Sequence, residues 1–154
     1  MKNNTKKLIL GWREWIALPQ LNLPAVKAKI DTGAKTSALH AFYFEQYQKE
    51  SVDMVKFLVH PIQANNDLHI ECHAAIIDQR QIADSGGHKE MRYVVESLIS
   101  IDDKSWPIEL SLTNRDTMRF RMLLGRRAME YNALVKPDAS YLNGKLNPQT
   151  LYNL

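Results

Sequence analysis

A carboxylate at the end of an apolar strand, on a turn that glycine keeps open, is an acid presented for chemistry. Ile30-Asp31-Thr32-Gly33-Ala34 has that form. Just upstream, Val26, Ala28 and Ile30 share one parity and Lys27 and Lys29 the other, so a half-buried strand runs straight into Asp31. Gly33 lets the backbone turn sharply, and Ala34 adds little bulk. The same pattern closes ordinary strands, so Asp31 taken alone does not choose between a turn and a catalyst.

Two other chemistries can be weighed on spacing. Zinc needs three or four ligands converging at about 2 Å, and the chain has no His-Glu-x-x-His. His69, Cys72 and His73 look like a cluster, but Leu68, Ile70, Cys72, Ala74 and Ile76 alternate with polar residues and read as a strand. There the two histidines lie about 13 Å apart at ~3.3 Å per residue, with Cys72 on the other face. They read as solvent-facing histidines beside a buried cysteine, and His40, His60 and His88 show no ligand spacing either. No glycine-rich phosphate loop is present: Gly33-Ala34-Lys35-Thr36 lacks the upstream glycine of an ATP-binding loop.

The elements that must position Asp31 are mostly strands. Besides residues 8–18 and 26–30, period-2 alternation runs through Val55, Phe57 and Val59, through 68–76 and through Trp106, Ile108, Leu110 and Leu112, and just before the last of these 93–101 is a further β-rich run. The last two runs flank Asp102-Asp103-Lys104 and read as a hairpin. The one helical stretch is short, residues 126–131, and residues from 137 on read as irregular. Several short strands in one domain of 154 residues imply a barrel or sandwich. We expect a single domain over residues 1–154, with 1–7 and about 143–154 as loose tails.

Composition bounds the setting. A net charge of +3 with scattered basic residues is no nucleic-acid signature. One cysteine excludes an internal disulfide framework and fits a reducing compartment. Leu8-Ile9-Leu10 is too short for a signal-peptide core, and no segment approaches a membrane span, so the expected address is the cytoplasm.

Asp31-Thr32-Gly33 resembles the catalytic loop of retropepsin-type aspartic proteases, and Met122-Leu123-Leu124-Gly125-Arg126 resembles their second signature, a hydrophobic pair plus glycine threaded beside the active site before a short helix. More broadly, Gly11-Trp12-Arg13-Glu14-Trp15, residues 31–40 (ending Ala38-Leu39-His40), Asp84-Ser85-Gly86-Gly87-His88 and Leu112-Thr113-Asn114-Arg115-Asp116 resemble the retropepsin-like bacterial family named ATP-dependent zinc proteases, over roughly residues 9–142. The resemblance implies a mainly β, closed six-stranded acid-protease barrel with one or two short helices. The family's two names imply different chemistries. Zinc is implied by the name alone, and no cofactor is expected from the residues. A resemblance of Asp31-Thr32-Gly33 to the phosphate loop of sugar kinases and actin-like ATPases is set aside, because those folds need two large lobes.

Aspartic chemistry needs two carboxylates sharing one proton. The chain carries one Asp-Thr-Gly, and Asp84-Ser85-Gly86 follows the polar run 79–83 rather than an apolar strand. The second carboxylate is therefore expected from a second copy across a two-fold axis, with the pair titrating as a unit. In that reading Asp31 is acid and base, Thr32 braces the two loops, Gly33 clears the backbone, and Ala34, Gly86, Gly87 and Leu124 contact substrate. Gly125 supports the loop, and the resemblance gives Arg126 a dimer-bracing salt bridge. Leu123 follows Asp31 by 92 residues, so extra strands are inserted, and Gly86-Gly87 is the candidate flap tip.

Trp12, Trp15 and Trp106 read as core or dimer-contact aromatics. Arg119, Arg121, Arg126 and Arg127 suit an acidic substrate or a solvated basic edge, and the family resemblance, through its association with ATP-grasp glutamate ligases, implies a glutamate-rich peptide. His40 and Arg115 match family positions without an assigned role. The expectation is a homodimeric aspartic peptidase acting on a peptide or protein. The alternatives are a non-catalytic peptide-binding module partnering an ATP-grasp glutamate ligase, and a zinc protease.

Overall fold

Apolar parity becomes strand structure along most of the chain. The computed structural model describes residues 7–83, 86–115 and 117–154. β1 (Leu8–Leu10) and β2 (Arg13–Leu18) turn Leu8, Leu10, Ile16 and Leu18 inward, and after a 3-10 turn (Pro19–Leu21) β3 (Leu23–Ile30) does the same with Val26, Ala28 and Ile30. Next come β4 (Ser37–His40), β5 (Phe42–Lys49), β6 (Val52–Val59), β7 (Ile70–Ala83), β8 (Lys89–Ile101) and β9 (Lys104–Thr113). The chain finishes with β10 (Met122–Leu124), α1 (Arg126–Met129), β11 (Ala133–Val135) and α2 (Pro148–Leu151).

Nine strands share one sheet in the order β2-β3-β10-β4-β9-β8-β7-β6-β5, and β2 returns to touch β8. Six of them, β2 to β8 in that order, thus make a ring around a core that includes Ile16, Val26, Leu39, Val95, Ile99, Leu110 and Met122. The fold is mainly β with short helices, as expected. The expected closure is not strict, because the ring meets itself at a single pair, Ala17 with Ser100. β7, β6 and β5 extend beyond the ring as a wing whose apolar row, Val55, Phe57, Val59, Cys72 and Ala74, continues the same core. These are strands inserted between Asp31 and Leu123. The β8–β9 hairpin turns at Asp102, whose φ of +56° is left-handed.

Three parts differ from the expectation. The polar run 79–83 is strand, the outer half of β7 paired with β8 after a bulge between Ile76 and Asp78. β4 and β5 had no signal: all four residues of β4 are buried, and β5 is an edge strand, largely polar and bulged between Phe42 and Glu45. The stretch 143–154, expected loose, is tied down. Asn147 accepts the Gln149 and Thr150 amides at the start of α2, and the Tyr152 hydroxyl donates to the Ala25 carbonyl at 2.7 Å. Burial pushes that phenol up to about 12. The same end is held by Glu14, a fully buried carboxylate that accepts the amides of Gly11, Leu142 and Asn143. Residues 1–6 lie outside the described ones.

Candidate active site

β3 delivers Asp31, and β10 fixes where it stops. The two run parallel, with Leu124 beside Ile30, and the next amide along, Asp31 N–H, donates to the Leu124 carbonyl at 2.9 Å. The turn then closes on itself, as Gly33 N–H donates to Asp31 Oδ1 at 3.1 Å and Ala34 N–H to the Asp31 carbonyl at 3.2 Å. From the far side the start of α1 staples the loop again. Arg126 and Arg127 amides donate to the carbonyls of Ala34 and Lys35 at 2.7 and 3.1 Å, and Arg126 Nη1 donates to the Thr32 carbonyl at 3.0 Å. Arg126 therefore braces the Asp31 loop within its own chain.

Gly125 is forced to be glycine by this threading. A Cβ there would lie 2.7 Å from the Thr36 carbonyl carbon and 2.8 Å from Ser37 N, both backbone atoms that cannot yield cheaply. Its amide donates to Ser37 Oγ at 2.9 Å. Asp31 is left half-buried, with Thr32 and Gly33 exposed beside it.

Asp31, Gly33 and Ala34 line a cleft of about 950 Å³. The opposite wall is the outer β7–β8 hairpin, through Arg80, Gln81, Ile82, Ala83 and Arg92, and the cleft continues past Thr113, Met118 and Phe120. Gly86 and Gly87 sit exposed at the tip of this hairpin, Gly87 with a left-handed φ of +83°, but the strand residues below them line the cleft. Asp84, Ser85 and Asp116 lie outside the described residues. Leu124 is fully buried, and Leu123, its neighbour of opposite parity, lines the cleft in its place.

The cleft is strongly cationic. Lys29, Lys35, Arg80, Arg92, Arg115, Arg119 and Arg127 line it, against two carboxylates, Asp31 and Glu109, among the described residues. Of the four arginines singled out in the sequence, Arg119 and Arg127 reach the cleft, Arg126 holds the loop, and Arg121 is buried, donating to Asn66 at 2.9 Å. Arg80 was missed because a polar run concealed the outer half of β7, and Arg92 because the matching outer end of β8 precedes the β-rich run that begins at Tyr93. His40 is buried, stacks on Phe42 and His60, and accepts the Arg115 amide at 3.0 Å. Trp12 packs edge-on to Phe120, and Trp106 donates to the Ala128 carbonyl.

The described residues offer zinc no site: no three of their His, Cys, Asp and Glu side chains come together to hold an ion. Cys72 is buried with its thiol pushed up to about 12 by desolvation, and His73 is turned to Tyr47 and Glu71. Nor is any described helix long and apolar enough to cross a membrane.

Comparison with known proteins bears on both names of the resemblance. A Legionella pneumophila protein of unknown function, known from a crystal structure, superposes with a TM-score of 0.77 at 28% identity, covering 90% of this chain and 99% of its own. Proteins named "Probable alpha-L-glutamate ligase" from Parasynechococcus marenigrum and Shewanella pealeana are 44% and 42% identical over 96% of this chain. The chain spans about a third of their length (32% and 33%), and their names are those of ligases rather than zinc proteases. The model of the RimB-like family, described as retropepsin-like aspartic endopeptidase RimB, matches residues 9–146. With nearly the whole chain matched, this protein belongs to the RimB-like family of retropepsin-like aspartic endopeptidases.

Proposed function

We propose that the domain is one half of an aspartic endopeptidase, completed by a second copy that brings its own Asp31. The observation that carries this reading is the position of Asp31, held by β10 and α1 and open to a cleft of peptide dimensions. Among the described residues the other carboxylate lining the cleft, Glu109, is ion-paired to Arg80 at 2.9 Å and is poorly suited to share a proton with Asp31. The Asp31 of a second copy supplies the partner carboxylate in this reading. One carboxylate of the pair takes a proton from the attacking water while the other, protonated, donates to the scissile carbonyl. The proton passes on to the leaving amine, and the pair returns to its singly protonated state. Thr32 and Gly33 border Asp31 on the exposed side of the loop and form the surfaces that meet at the two-fold axis.

The cationic lining supports a peptide rich in acidic side chains as substrate. The names of the relatives support work beside a glutamate ligase, within one chain or as a separate partner. They also favour a second reading, a peptide-holding module for such a ligase with no cleavage of its own. Metal-free assays on glutamate-rich peptides, with molecular mass measured by light scattering, separate the two. The peptidase reading expects a dimer that cleaves, and no cleavage after Asp31→Asn with the dimer retained. Cleavage surviving that substitution, or a monomer that binds without cleaving, would overturn it.

A further inference from the structure

Arg80 and Arg92 stand directly opposite each other on the β7–β8 hairpin, and both line the cleft that holds Asp31. Like charges facing each other across two strands repel, so something must offset them. Arg80 Nε donates to Asp78 at 2.5 Å and its Nη1 to Glu109 at 2.9 Å. Arg92 Nε donates to Glu90 at 2.6 Å and its Nη1 to the Ser111 hydroxyl at 3.4 Å. Each guanidinium has thus committed two of its three nitrogens, and Nη2 of each has no partner among the described residues. Arg92 is only 8% exposed, so its fork is built into the wall. Glu90, which holds it, is itself fixed by the Thr113 hydroxyl at 2.6 Å.

We propose that Arg80 and Arg92 form a carboxylate subsite on the hairpin wall of the cleft, recognising the side chain of one acidic residue in the bound peptide. The planar fork of arginine suits a carboxylate in a way that a lysine ammonium does not. The subsite rests on reading the cleft as a peptide site and assigns its selectivity to two residues, whereas the remaining cations supply only a diffuse field. Glu109 lines the same cleft and occupies Arg80. A substrate carboxylate therefore competes with Glu109 for that guanidinium, and substitutions at Arg80 and Glu109 act in opposite directions. An ion pair serving the fold alone makes both substitutions harmful or both neutral.

The test is binding, in the full chain carrying Asp31→Asn so that peptide is retained uncleaved. The probes are an eight-residue peptide with glutamate at alternate positions and its glutamine counterpart, measured by calorimetry. Arg80→Lys and Arg92→Lys keep the charge and lose the fork, and each is expected to weaken the glutamate peptide by about tenfold with the glutamine peptide unaffected. Glu109→Gln is expected to tighten it severalfold. Glu50→Gln makes the same charge change in the exposed turn between β5 and β6, outside the cleft lining, and is expected to leave it unchanged. Lysine variants that bind like the parent, a Glu109→Gln that weakens, or equal affinity for the two peptides would each overturn the subsite. Because Arg92 is buried, Arg80→Lys and Glu109→Gln decide the matter if Arg92→Lys does not fold. A glutamate peptide bound here but left intact by the unsubstituted chain would refute the peptidase reading and leave the subsite standing.

Discussion

The two walls of the cleft are built in opposite ways. The Asp31 loop is short and stapled from two directions, by the Leu124 carbonyl on one side and by the start of α1 on the other. The facing hairpin is long, and its outer residues 86–91 are all exposed. Its charged side chains are held by neighbouring carboxylates rather than by backbone threading. The difference separates two tasks. Chemistry needs an acid placed within a fraction of an ångström, which a doubly anchored loop supplies. Recognition needs charge and donors that adjust to a ligand, which side chains on a two-stranded ribbon supply.

If that division is right, damage to the loop wall costs fold and activity together, and damage to the hairpin wall costs binding alone. Gly125→Ala should have the largest effect, because the new methyl meets the Thr36 and Ser37 backbone; we expect a loss of about 3 kcal/mol in chemical denaturation and no peptide cleavage. Ser37→Ala removes the acceptor of the buried Gly125 amide and should cost about 2 kcal/mol in the same measurement. Arg126→Ala loses an exposed bond to the Thr32 carbonyl, so stability should fall by no more than about 1 kcal/mol while cleavage falls further. Gly87→Ala at the hairpin tip strains a left-handed residue and should cost about 1 kcal/mol or less, lowering Tm by no more than about 4 °C. Smallest of all is thiol reactivity. With Cys72 at about 12, the thiol stays protonated in the fold at pH 8, so native protein should resist alkylation and urea-unfolded protein should not. A Gly87→Ala or Arg80→Lys that unfolded the chain, or a Gly125→Ala that left it intact, would break the contrast.

Legibility in the sequence followed the same line. The Asp31 loop could be read because its strand alternates cleanly and its glycine sits in a short motif, and Leu123-Leu124-Gly125 could be paired with it by resemblance. Alternation also found β2, β3, β6, β9 and the inner half of β7, and β-rich composition found the inner half of β8. It failed where burial does not alternate. β4 is buried on every residue, and β5 has almost no buried face to reveal. Arg80 and Arg92 could not be placed, because the bulge after Ile76 shifts the register of β7 and only the paired hairpin brings the two side chains together. Leu124 was read as a contact residue for want of parity over a three-residue strand. Glu14 gave no signal, since its partners Leu142 and Asn143 come from the far end of the chain.

The claim that two chains share one active site can be tested most directly by mixing subunits. Unsubstituted protein is unfolded and refolded with a rising excess of Asp31→Asn chains, and cleavage is followed per unsubstituted chain added. A dyad made from two Asp31 carboxylates predicts that activity falls as the mixed dimer replaces the homodimer, towards zero at large excess. Activity that stays constant per unsubstituted chain would contradict the account, because each chain would then be hydrolysing peptide with its own residues.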